Sequence, residues 1–218
     1  MLSSILVTGI AIAGSAKEAM PPPPPPEPAP EWNWFAGAGA GYLMDFEEPM
    51  YHGHLGIERS CPGPWTHAFF LEVGWTEGEE SFTVRTPQID GTIYGNTELE
   101  VLPVTLNYKI ERRFDNGFYL YAGAGVGFAS IDSTTTARFP APTVPAVARS
   151  ESSDEVFAGQ IFAGLGYNVT PNFEIYGGAR WIYLDDDGAP TVAGVPGGQG
   201  IGALEDDVLA ELGVRFNF

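Results

Sequence analysis

The chain has 218 residues and carries 28 Asp and Glu against 10 Lys and Arg, a formal net charge of −18. Affinity for nucleic acid comes mainly from Lys and Arg that displace counterions from the phosphates, so no nucleic-acid partner is expected for this acidic chain. Charged residues make up only 17% of the sequence, below the roughly 25% of an average soluble domain, and the 28 Gly indicate small-residue strands and many turns.

The N-terminal region is predicted to be an export signal followed by a spacer. Ile5 to Ala16 is a short apolar run that ends in small residues. This is typical of a secretory signal and too short for a transmembrane helix of about 20 residues. We therefore interpret residues 1–16 as a signal peptide, with cleavage as late as residue 19. Residues 17–33 are rich in proline, which favours extended polyproline geometry and predicts a stiff spacer outside the folded unit.

From Trp34 to Phe218 the sequence alternates with a period of two, which is the pattern of β-strands whose two faces meet different surroundings. The pattern predicts eight strands and no long helix. The predicted strands cover residues 34–43, 51–59, 67–76, 98–111, 117–129, 156–168, 172–184 and 207–218. The last strand is the clearest, because Val208, Leu212 and Phe216 share one face.

The two faces of these strands differ in composition, and the difference predicts an all-β transmembrane barrel. One face is mostly Gly, Ala, Tyr and Thr, with too few charges for the exterior of a soluble carrier. The other face is apolar, with aromatic residues near the strand ends, where a barrel meets the two membrane–water interfaces. These aromatic residues are Trp34, Tyr42, Trp75, Tyr108, Phe118, Phe128, Tyr167, Phe173, Trp181 and Tyr183. Because every backbone polar group must be paired inside a bilayer, we expect an eight-stranded antiparallel up-and-down barrel over residues 34–218.

The connections between the predicted strands alternate in length and charge. The short connections are residues 60–66, 112–116 and 169–171, and they carry little net charge. The other connections are residues 44–50, 77–97, 130–155 and 185–206, which are mostly long and hold most of the acidic residues found in the connections. This alternation predicts tight turns at one rim and acidic loops at the other. Prolines in 130–155 predict that this loop is extended and poorly ordered.

Four stretches of the sequence resemble eight-stranded outer-membrane β-barrel proteins of the OmpA/OmpX type. They are FYLYAGAGVGF from Phe118, PVTLNYK from Pro103, GGARWIYL from Gly177 and the terminal ELGVRFNF. The resemblance implies a bacterial outer-membrane protein with short periplasmic turns, long external loops and both termini in the periplasm. The partners it implies are outer-membrane lipid, lipopolysaccharide and the barrel-assembly machinery, which would recognise the last strand ending in Phe218.

Charged residues on the inner face are predicted to pair inside the barrel. They are Glu58, Glu72, Lys109, Glu111, Glu174, Arg180, Glu211 and Arg215. The most plausible pairs join Glu72 or Glu211 to Arg180, Arg215 or Lys109, because an uncompensated buried charge costs about 3–5 kcal/mol. An eight-stranded barrel is just wide enough for its own side chains to fill it, so a diffusion pore is not expected.

His52 and His54 are candidates for metal binding. They lie two residues apart on the second strand, so both side chains point to the same face. Asp45 or Glu47 would supply oxygen ligands to complete such a site. The alternative is that the two histidines are ordinary polar filling of the lumen, and no cofactor is expected.

Asp185, Asp186 and Asp187 form a second candidate group at the start of an acidic loop. Ca²⁺ and Mg²⁺ prefer carboxylate oxygens, but the spacing does not match an EF-hand. Divalent cations at the acidic loops would bridge these carboxylates to lipopolysaccharide phosphates. The alternative is a solvated acidic face without a defined site.

The expected function is a structural or surface-interaction role, with acidic external loops and a lumen filled by side chains. A narrow conduit or binder for small apolar molecules is the second interpretation. An outer-membrane lipid-modifying enzyme is the third, but the sequence has no G-x-S-x-G motif and no Ser-His pair with recognisable spacing. The alternating glycines at 37–41 and 123–127 lie inside predicted strands, so they do not predict a phosphate-binding loop.

Overall fold

Eight antiparallel strands close into a barrel in the computed structural model, which describes residues 32–86, 91–138, 147–185 and 206–218. Each strand pairs with its neighbours in sequence, and the first pairs with the last. The strands are β1 Trp32–Leu43, β2 Pro49–Ser60, β3 Trp65–Thr86, β4 Gly91–Arg113, β5 Phe118–Arg138, β6 Val147–Thr170, β7 Phe173–Asp185 and β8 Asp206–Asn217. The predicted fold class is confirmed. In the part of the chain described, no helix is long and apolar enough to span a membrane.

The barrel wall has an apolar outer face and a polar inner face, as the alternating sequence predicts. Along β8, Val208, Leu212 and Phe216 point outward and are exposed, whereas Glu211 and Arg215 point inward and are buried. β4 repeats the pattern, with exposed apolar residues between buried polar ones. Over residues 101–111 and 207–217 the apolar residues therefore cover the outside of the barrel, and the charged residues lie within it.

Aromatic side chains form a girdle at each end of the apolar outer face. At one end, Tyr51 stacks on Trp75 with ring centroids 6.1 Å apart. At the other end, Phe118 packs against Tyr167 with a centroid distance of 4.8 Å. Two such girdles are the pattern expected where a barrel meets the two surfaces of a bilayer.

The end of the barrel where β1 begins and β8 ends has short turns. Residues 61–64, 114–117 and 171–172 connect the strands there. Gly63 and Gly117 have φ angles of +103° and +84°, in the left-handed region that favours glycine. At this end every strand boundary lies within two residues of the prediction, and the differences include β1, which begins at Trp32, and β4, which continues to Arg113.

At the opposite end, four strands continue far beyond the length that a bilayer requires. β3 to β6 have 21 to 24 residues each, whereas about 9–11 tilted residues cross a membrane. Residues 77–86 pair with 91–100, and residues 132–138 pair with 147–153. These four segments, here called the strand extension, also pair with each other between β4 and β5.

The strand extension corrects the prediction of long loops at 77–97 and 130–155. Most of these residues are in β-strands, because strands that continue side by side satisfy their backbone polar groups in one another. Inside the extension the Thr97 and Thr135 hydroxyls are 3.0 Å apart and both are buried. The loop prolines at 140–145, the predicted signal peptide, most of the predicted spacer, and Asp186 and Asp187 lie outside the described residues.

Candidate functional site

The side chains inside the barrel lie in four layers. Nearest the strand extension is an apolar layer of Leu43, Met50, Val101, Ala129, Ile131, Ala158, Ile182, Leu184 and Leu209. Next is the upper ionic layer of His52, Glu72, Gln160, Arg180 and Glu211. An aromatic layer of Phe35, Phe70, Tyr119, Tyr121 and Phe162 follows. The lower ionic layer, at the end with short turns, consists of Glu58, Lys109, Glu111, Arg113, Glu174 and Arg215.

Arg180 organises the upper ionic layer. Its guanidinium donates to both carboxylate oxygens of Glu72, with Nη2 to Oε2 at 3.1 Å. Nη2 and Nε also donate to Glu211 Oε2, at 2.8 and 3.2 Å. The amide of Gln160 donates to Glu72 at 3.0 Å. Because Arg180, Glu72 and Glu211 come from β7, β3 and β8, these contacts tie opposite walls of the barrel together.

Arg215 organises the lower ionic layer and is only 1% exposed. Its Nη1 lies 2.6 Å from Glu111 Oε1, and its Nη2 lies 2.9 Å from Glu58 Oε2 and 2.8 Å from Glu174 Oε2. Arg113 contacts the same three carboxylates at 2.8 to 3.5 Å. One buried guanidinium therefore joins carboxylates from β2, β4 and β7.

The structure brings together the charged residues predicted from the sequence, and it adds Arg113 and the uncharged Gln160. Glu72 and Glu211 meet at Arg180, while Lys109 lies 2.8 Å from Glu111. Sequence reasoning missed Arg113, since it was assigned to a turn, although it is two residues beyond the inward Glu111. It also missed Gln160, whose inward position on β6 follows from the same alternation.

His52 and His54 both face the lumen, on β2. The Nδ1 and Nε2 atoms of His52 lie 3.3 Å from Glu72 and from Glu211, respectively. Within the described residues, the group of side chains able to hold a metal ion is His52, His54 and Glu72, with their ligand atoms within 4.8 Å of one another. The oxygen ligand beside the histidines is thus Glu72 from the neighbouring strand, and the expectation of Asp45 or Glu47 is wrong.

Asp185 ends β7 and is exposed, so it belongs to the rim of the barrel and not to the lumen. Its carboxylate accepts a hydrogen bond from the Tyr183 hydroxyl at 3.3 Å. The other two members of this predicted group lie outside the described residues. A cation site on these three aspartates therefore stays a prediction.

The outer face of the strand extension carries rows of carboxylates. Glu77 lies directly opposite Glu100, and Glu79 directly opposite Glu98. Asp132 on β5 lies directly opposite Glu100 on β4. All five are exposed, and they line one open cavity of about 440 Å³. Like charges in opposing positions destabilise a sheet, so these carboxylates repel one another across the strands.

A closed eight-stranded barrel with an apolar outer wall, two aromatic girdles and a charged interior is a transmembrane β-barrel, because no open sheet edge is left for lipid to meet. The chain belongs to the family described as the outer membrane protein beta-barrel domain, whose model matches residues 30–216. It is therefore a protein of the bacterial outer membrane.

Several solved outer-membrane proteins are similar to this chain. Neisserial surface protein A is 13% identical, and the match covers 86% of this chain and 97% of that one, with a TM-score of 0.46. The N-terminal β-barrel domain of Pseudomonas aeruginosa OprF is 16% identical, and the match covers 87% of this chain and 100% of that one, with a TM-score of 0.46. A major outer membrane protein from Thermus thermophilus is 15% identical, and the match covers 86% of this chain and 99% of that one, with a TM-score of 0.49. No curated protein matches the chain.

Proposed function

We propose that the protein is a non-conducting outer-membrane barrel that acts at the cell surface through its strand extension, without catalytic activity. The observation that carries the proposal is the set of opposed carboxylates on the outer face of the extension. Glu77 and Glu100 form one pair, and Glu79 and Glu98 form the next. The repulsion within each pair is relieved when a cation binds between the two carboxylates, which supports a surface role that uses cations.

The position of these carboxylates along the barrel axis indicates which part of the membrane they contact. Trp75, in the external aromatic girdle, donates its indole N–H to Glu100 at 2.9 Å. The acidic rows therefore begin directly above the apolar band, at the level of the lipid headgroups. Lipopolysaccharide phosphates at that level would repel them. Ca²⁺ and Mg²⁺ prefer carboxylate and phosphate oxygens, so we infer that these ions bridge the strand extension to lipopolysaccharide.

The quadruple variant Glu77→Gln, Glu79→Gln, Glu98→Gln and Glu100→Gln tests this bridge. In lipopolysaccharide-containing bilayers, Mg²⁺ is expected to stabilise the native chain by about 1 kcal/mol, which raises its melting temperature by roughly 2–4 °C relative to EDTA. The variant is expected to lose this Mg²⁺ effect and to melt higher than the native chain in EDTA, because the like-charge pairs are gone.

Phosphatidylcholine bilayers provide the control, since they offer no net negative charge to bridge. There the Mg²⁺ effect on the native chain is expected to shrink. An equal Mg²⁺ effect in the native chain and the quadruple variant would contradict the proposed bridge.

The second candidate function, a narrow conduit, is disfavoured by the four layers of side chains. The apolar layer and the two ionic layers each cross the lumen, and Arg180 and Arg215 occupy its centre. We expect the purified protein to show no stepwise conductance in planar bilayers, with insertion verified by its heat-modified mobility on gels. Stable open steps that disappear when Arg180 or Arg215 is replaced would instead support a gated conduit.

A further inference from the structure

The geometry points to a Zn²⁺ site inside the barrel, held by His52, His54 and Glu72. The three side chains lie on adjacent strands, and the register places His54 directly opposite Glu72. His52 Nδ1 is 3.3 Å from Glu72 Oε2. Two ligands bound about 2.1 Å from a tetrahedral Zn²⁺ lie roughly 3.4 Å apart, so this distance fits one edge of a zinc coordination shell.

The donor atoms of the two histidines are buried, and those of His52 face carboxylates at 3.3 Å, Nδ1 toward Glu72 and Nε2 toward Glu211. Neither ring nitrogen of His52 makes a hydrogen bond within the described residues, and the same is true of Nδ1 of His54. The side chain of His52 is only 1% exposed. Buried polar atoms are nearly always hydrogen-bonded, so three buried imidazole nitrogens without a hydrogen bond, two of them beside carboxylates, fit a place for a metal ion.

The backbone of β1 is shaped to receive the two rings. Gly39 and Gly37 lie opposite His52 and His54 in the register of β1 and β2. A Cβ atom on either glycine would overlap the Nε2 and Cε1 atoms of the facing histidine. The two imidazoles lie nearly parallel, at 24°, with centroids 6.2 Å apart. The alternating glycines thus hold both rings against the wall of β1, and Nδ1 of His52 faces Glu72 at 3.3 Å.

The charges of the two ionic layers leave a negative excess at this position. The lower ionic layer balances Glu58, Glu111 and Glu174 with Lys109, Arg113 and Arg215. In the upper ionic layer, Arg180 alone faces both Glu72 and Glu211. One carboxylate is therefore uncompensated, and a bound cation removes that cost.

There is room beside His54 and Glu72 for a small further ligand. A cavity of about 20 Å³ is lined by these two side chains and by Lys109, Arg180 and Glu211. This volume accommodates about one water molecule. Two imidazole nitrogens and one carboxylate oxygen with an additional water form a donor set that suits Zn²⁺, whereas Ca²⁺ and Mg²⁺ take mainly oxygen ligands.

The test uses the full chain without a polyhistidine tag, folded in detergent with Zn²⁺ and excess Mg²⁺, and then dialysed. The Mg²⁺ occupies the external carboxylates. We expect elemental analysis to find one Zn²⁺ per chain, and zinc X-ray absorption to show two imidazole ligands. His54→Phe keeps an aromatic ring among Phe35, Phe70 and Tyr176, and it is expected to lower Zn²⁺ affinity at least tenfold.

His67→Phe is the matched control, because His67 lies outside the cluster, with its Nδ1 2.6 Å from the Tyr108 hydroxyl. It is expected to retain the metal. Heat-modified gel mobility verifies that each variant is folded, and His52→Asn is the second variant if His54→Phe does not fold. The proposal would be overturned if the native chain retained no zinc. That result is expected if a proton on His52, and not a metal ion, supplies the missing positive charge. A zinc spectrum without imidazole ligands would also overturn the proposal, as would equal retention in His54→Phe and His67→Phe.

Discussion

Replacing Arg215 with Met is expected to lower the free energy of unfolding by about 3–5 kcal/mol, the cost of breaking a buried ion pair by removing one partner. The guanidinium is buried and contacts Glu58, Glu111 and Glu174. Methionine has a similar length but no charge. The three carboxylates would then share Lys109 and Arg113, so one negative charge would stay buried without a counterion.

Urea titration of the folded barrel in detergent, followed by heat-modified gel mobility, measures this loss. Arg149→Met is the matched control, because Arg149 pairs with Glu151 at 2.8 Å on the exposed surface, where both side chains are about two-thirds exposed. Such a pair contributes about 0–1 kcal/mol. If Arg215→Met were as stable as Arg149→Met, the ionic layers would not stabilise the barrel as described.

The second large effect is expected at Arg180, and it should be reversible by a compensating change. Arg180→Met leaves Glu72 and Glu211 without their shared cation, so we expect a loss of several kcal/mol. Adding Glu211→Gln removes one of the two carboxylates. The double variant is therefore expected to be more stable than Arg180→Met alone, although Glu211 also contacts His52 in the native chain.

Urea midpoints of the native chain, the two single variants and the double variant give the coupling between the two side chains. The expectation would be contradicted if the losses in free energy of unfolding of the two single variants simply added, so that the double variant was less stable than either single one. That outcome would mean that charge compensation is not what Arg180 contributes.

The fold was predictable because inward and outward residues alternate locally along each strand. The apolar Leu212 points outward and the charged Glu211 points inward, as their side-chain chemistry predicts. The same alternation of inward and outward residues occurs in every strand. Strand length was not predictable in the same way. Segments such as residues 77–86 are rich in Glu, Ser and Thr and look like loops, yet they pair because the neighbouring strand also continues.

The sequence predicted which residues belong to the candidate metal site better than it predicted which of them contact one another. Parity alone placed His52, His54 and Glu72 inside the barrel. It did not say which inward residues meet, because that depends on the register between strands. The turn at residues 61–64 sets His54 opposite Glu72, whereas Asp45 was favoured only because it is near in sequence.

The orientation of the barrel wall is the central claim, and the five tryptophans report on it directly, since the chain has no others. Trp32, Trp34, Trp65 and Trp181 are exposed on the outer face, and Trp75 is half-buried in the external girdle. In bilayers of brominated phospholipid, their fluorescence is expected to be strongly quenched, with little further quenching by acrylamide in water. A chain that stays soluble without detergent, with tryptophan fluorescence unaffected by brominated lipid, would contradict the account.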